Sequence, residues 1–117
     1  MRTPEEFEPL GLWMGWRKIK RRIRPFCIEE FWCSTSGGED IKAVAFKTSF
    51  TDAEAIEALE RLVEKGYFPR LEFMDDSMFW SLIVSLSGYA RVASATKPTI
   101  HEAVEEAILR LIAAEGA

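Results

Sequence analysis

Histidine occurs once, at position 101, and cysteine twice, at positions 27 and 33. These scarcities exclude much chemistry. A strand across Pro25 to Cys33 would hold the two sulfurs on one face, about 20 Å apart, whereas a disulfide needs Cα atoms within about 7 Å. No CxxC is present, and a structural zinc site needs four Cys or His ligands at tight spacing. The expectation is two reduced, partly buried cysteines and no metal. No GxGxxG or P-loop pattern surrounds Gly37 and Gly38, so no nucleotide cofactor is implied. The longest charge-free run, Ser77 to Ala90, is too short to span a bilayer as a helix. The start, Met1-Arg2-Thr3-Pro4-Glu5-Glu6, is acidic where a signal peptide is basic and then apolar. These features predict a cytoplasmic protein without a membrane span.

What is present is an ordinary globular composition, 48% hydrophobic and 29% charged over 117 residues. That suits one domain with a real core. Charge is unevenly placed. Arg17, Lys18, Lys20, Arg21, Arg22 and Arg24 form a run of six bases without an acid, in a chain whose net charge is −4. An acidic body carrying one basic segment presents a directed field.

Two helices are marked by the same start signal. Thr51-Asp52-Ala53-Glu54 and Thr99-Ile100-His101-Glu102 both read as capping boxes. Behind the first, Ala55, Ile56, Leu59, Leu62 and Val63 keep helical spacing up to Gly66. Behind the second, Ala103, Val104, Ala107, Ile108, Leu111 and Ile112 do so up to Gly116. Between them, Tyr67–Met74, Met78–Leu86 and Tyr89–Ala95 read as an antiparallel meander turning at Asp75-Asp76-Ser77 and Ser87-Gly88. The apolar face Trp80, Leu82, Val84 and Leu86 is the natural seat for the last helix. Phe26–Cys33 and Ile41–Thr48 read as a hairpin around Ser34–Gly38.

The amino-terminal region is ambiguous. Leu12, Trp16, Ile19 and Ile23 fit one helix face ending at Pro25, but Gly11 and Gly15 each weaken a helix by about 1 kcal/mol relative to Ala. A helix from about Pro4 to Trp16 is preferred, with the conformation of the basic segment left open. The fold expected is therefore α+β: one domain over 1–117, with an amino-terminal helix and basic segment at 4–24. Residues 25–117 would supply a sheet of about five antiparallel strands and the remaining two of about three helices.

Several short motifs are familiar. Trp13-Met14-Gly15-Trp16-Arg17 resembles the V-M-G-W-K that closes the first helix of the phage ABA sandwich domain family. Ser49-Phe50-Thr51-Asp52 and the helix up to Val63-Glu64-Lys65 resemble that family's Y-S-T-D and A-W-x-V-V-E-K. Ala93 to Ile112, with Thr96, Pro98 and an alanine-rich helix, resembles its A-D-T-A-P-x-A-I-C-x-A-A-L ending. The chain departs from the pattern in Trp13, in lacking a cysteine in the last helix, and in the dense basic run. Members are small phage and prophage proteins without a settled activity. The resemblance implies origin and fold more than task.

No catalytic set can be assembled. His101, at the second position of a helix, reads as a surface residue of the first turn, and a lone imidazole without an arranged partner is weak support for phosphoester chemistry. Asp75 and Asp76 could share a cation with Glu72 but read as turn formers. Glu29 and Glu30 alternate in a strand and cannot act as a pair.

The basic segment is the best candidate. Arg17, Lys18, Lys20, Arg21, Arg22 and Arg24, with Trp13 and Trp16 beside them, are the expected binding residues, and three uses stay open. The first is a non-enzymatic phage-type accessory protein, assembled as a homo-oligomer, that engages a host or phage macromolecule and counters host defence. The second is an oligomer holding an anionic nucleotide signal, the bases clamping phosphate and the tryptophans stacking. The third is nucleic-acid binding.

Overall fold

The computed structural model describes residues 2–33, 40–86 and 90–116. The Ser34–Gly38 loop and the Ser87-Gly88 turn expected from sequence lie outside the described residues. The chain divides into two compact units, Met1–Thr48 and Ser49–Ala117. Among the described residues, three α-helices and six strands in two antiparallel sheets make the fold α+β. Two three-stranded sheets replace the expected single sheet of about five strands, and the additional strand is the basic segment itself.

The first unit begins with helix α1, Pro4–Trp13. Thr3 caps it in a box with Glu6, and Pro4 occupies the first turn, where no N–H is needed. The helix stops short of the expected Trp16. Gly15 adopts a φ of +80°, Gly15 N–H donates to Leu12 O, and Trp16 N–H donates to Gly11 O at 3.0 Å. This is a Schellman motif, which needs a left-handed residue where Gly15 stands.

Strands β1 (Arg17–Arg24), β2 (Cys27–Cys33) and β3 (Asp40–Ala43) follow, in the order β1-β2-β3. A single 3-10 turn, Val44–Phe46, replaces most of the strand expected over Ile41–Thr48. The core gathers Phe7, Leu10, Met14, Trp16, Trp32 and Cys33. Phe7, Trp16 and Trp32 form a triangle with ring centroids 6.2, 6.4 and 6.3 Å apart. Aromatic pairs at this range add about 0.5–1.5 kcal/mol each beyond their buried area. Lys47, only 4% exposed, sets its Nζ 5.8 Å from the ring centres of both Phe7 and Trp16, so its charge is held against π faces.

The second unit comprises α2 (Asp52–Glu64), β4 (Tyr67–Met74), β5 (Phe79–Leu86), β6 (Ala90–Lys97) and α3 (Ile100–Gly116). The Thr51 capping box forms as expected, and Gly66, at φ +92°, ends α2. At Thr99 the hydroxyl accepts from Glu102 N–H and donates to the Glu102 carboxylate. The buried stripe of α2 is Ala55, Ala58 and Leu62, while Ile56 and Val63 stay exposed. The stripe is rotated from the sequence expectation because α2 lies against both α3 and β4.

In the meander β4-β5-β6, Leu82 pairs with Ala95 and Val84 with Ala93. All four are buried with Ala103, Val104, Ala107, Ile108 and Leu111 of α3. The small residues of β6 let α3 approach the sheet closely. Of the expected seat, Trp80 is half-buried against Phe73 and Leu86 remains exposed.

Candidate binding surface

A strand made of six bases and two isoleucines has little intrinsic β preference. Its partner supplies what the segment lacks. The β1–β2 register sets Ile19 opposite Phe31, Lys20 opposite Glu30 and Arg21 opposite Glu29. Unlike charges directly across a ladder stabilise it, and like charges would not. Pro25 and Phe26 make the turn, and Pro25 is preset for a turn position. A bulge at Ile23 takes up the local irregularity.

The six cations share one strand but not one environment. Lys18 is engaged inside its unit, with Nζ 2.9 Å from Glu8 Oε1 and 5.6 Å from the Trp32 ring centre. Arg21 lies over the Phe31 ring at 5.9 Å. Arg17, Arg22 and Arg24 stand opposite Cys33, Ile28 and Cys27, none of which is acidic, and all three are exposed, as is Lys20. Every residue from Arg21 to Ile28 is exposed, with Phe26 fully so at the hairpin tip. Because side chains alternate along a strand, Lys18, Lys20 and Arg22 project on one face, and Arg17 and Arg21 on the other.

The tryptophans part from the cations. Trp16 is 3% exposed and its ring is committed to Phe7 and Trp32. Trp13 is half-buried at the end of α1. The aromatic that accompanies the exposed bases is Phe26. Cys27 is exposed and Cys33 buried, and no disulfide joins them. Among the described residues no group of three or more His, Cys, Asp and Glu is arranged to hold a metal ion. Among the described residues no helix is long and apolar enough to cross a membrane.

Sequence reasoning missed Glu105. This carboxylate is 1% exposed. Its Oε2 accepts from Phe50 N–H at 3.2 Å and lies 3.1 Å from His101 Nδ1. Glu105 thus ties α3 to the residue preceding the α2 cap, where the helix dipole favours negative charge. The signal was an acid flanking an oily stripe, four residues after the chain's single histidine. His101 is half-exposed and partnered, in place of the free surface residue expected.

No family model matches this chain, and no curated protein or solved structure matches it either.

Proposed function

We propose that this protein acts by binding, not catalysis, and that β1 is its recognition surface for an anionic macromolecule. One observation carries the reading: Arg17, Lys20, Arg22 and Arg24 are exposed on one strand of an otherwise acidic chain. Holding like charges together on a strand is unfavourable in itself, and an anionic partner would relieve that repulsion. The motif likeness to the phage ABA sandwich family supports a small phage-type accessory protein, and action in the host cytoplasm against host defence is the task proposed for it. Phe68, Met74 and Phe79 are exposed, and their register places them on the face of β4 and β5 opposite Leu82 and Val84. This supports a homo-oligomer.

The nucleotide-signal and nucleic-acid readings both call on tryptophan rings for stacking. Burial of Trp16 takes one of those rings away, which favours an acidic protein partner over both. The test is co-purification from the natural host, comparing the native chain with the triple variant Arg21→Ala, Arg22→Ala, Arg24→Ala. Loss of an identified anionic partner from a folded variant supports the proposal. Equal recovery of that partner by both proteins sinks it.

A further inference from the structure

We infer that the outer edge of β1 accepts an extended acidic segment of another protein as a fourth strand of the sheet. This rests on the reading of β1 as a binding surface and names both the partner and the mode. In the order β1-β2-β3, β1 bonds to β2 on one side and has no strand partner on the other among the described residues. An edge strand presents alternate N–H and C=O groups outward, a ready template for an added strand.

Charge decides which strand is admitted. A second copy of β1 would bring six bases against six, so the edge rejects itself; lysine-rich edges are a known guard of this kind. An acidic strand meets the opposite situation. Glu29 and Glu30 of β2 stand opposite Arg21 and Lys20 in the middle of β1 only. The arginines near each end, Arg17, Arg22 and Arg24, have no carboxylate across from them.

The distribution over two faces favours a peptide over a nucleic acid. Lys18, Lys20 and Arg22 project one way and Arg17 and Arg21 the other. An extended peptide alternates its side chains in the same manner, so consecutive acids meet bases on both faces. A phosphate backbone laid on one face would reach at most three of these five. Of the rings that single-stranded nucleic acid would stack on, Trp16 lies in the core and Phe26 alone is fully exposed beside the bases.

The test uses the full-length chain and a capped, fluorescent peptide of about ten residues, rich in glutamate with interspersed valine, long enough to span β1. Two further peptides carry N-methyl groups on one or the other alternate set of backbone nitrogens. A strand bonds the sheet with one edge only, so one methylated set should lose at least about tenfold in affinity while the other binds like the parent. Equal binding by both methylated peptides would overturn strand addition and leave the basic surface standing. Binding of a short single-stranded oligonucleotide but not of the peptide would overturn the choice of partner. Binding of neither would overturn the strand inference together with the reading beneath it. Arg22→Glu with Arg24→Glu, shown folded by circular dichroism, should abolish binding of the parent peptide.

Discussion

Gly11 and Trp32 touch so closely that a Cβ on Gly11 would sit 2.8 Å from Cη2 of the indole. The glycine that weakens α1 as a helix is what lets α1 lie on the buried ring. Alanine at this position gains about 1 kcal/mol of helix propensity, yet it must displace a large side chain that is itself packed against Phe7 and Trp16. Overpacking of this kind costs about 1–3 kcal/mol. Gly11→Ala should therefore lower stability in urea unfolding. A rise in stability would show that Trp32 moves aside freely.

Stability and recognition should separate cleanly around the basic strand. Trp16→Ala empties the aromatic triangle and should cost about 3–5 kcal/mol, read as a loss of cooperative thermal unfolding. Arg22→Ala with Arg24→Ala touches only exposed side chains and should change stability by no more than about 0.5 kcal/mol, while removing partner binding. Unfolding of the double variant would mean that these arginines hold the hairpin together.

Glu105 gives a graded prediction. Glu105→Ala removes the acceptor that Phe50 N–H uses and leaves space in the core, so it should cost at least about 1–3 kcal/mol. Glu105→Gln keeps an acceptor of the same shape and should cost less. His101→Ala, at a half-exposed position, should be the mildest of the three. Chemical denaturation of the set checks the order, and equal losses would refute the bond to Phe50 as the reason for burial.

Two left-handed residues make an opposed pair. Gly66 has a φ of +92° with nothing near its Cβ position, so Gly66→Ala should destabilise by about 1 kcal/mol through the backbone alone. Met78, at φ +59° in the β4–β5 turn, carries the same penalty already. Met78→Gly should then recover up to about 1 kcal/mol. Thermal unfolding of the two variants should shift in opposite directions.

Legibility in the sequence followed the range of the interactions. The capping boxes at Thr3 and Thr51 and the Thr99–Glu102 cap are decided within four residues, but only the latter two were visible as helix starts before an apolar period. At Thr3 the period is blurred by Pro9, Gly11 and Gly15. The strand over Tyr67–Met74 matched residue for residue, because its ends are set by Gly66 and a turn. The basic run had six like charges and no apolar alternation to declare its state, and its strand exists through Glu29, Glu30 and Phe31 across the ladder. The candidate site was legible as a charge cluster at 17–24. Its shape as an edge was not.

Local chemistry alone determined α2, α3 and the meander between them, since hydrogen-bonded caps, left-handed glycines and a two-residue alternation act over short spans of chain. Tertiary contact decided the rest. It turned the cations into a strand, drew Trp16 inward to meet Trp32, rotated the buried stripe of α2 toward Ala58, and buried the carboxylate of Glu105 under Phe50. Each of these depends on partners outside the segment itself, across a hairpin for the cations and farther along the chain for the others, whose positions no pattern within the segment specifies.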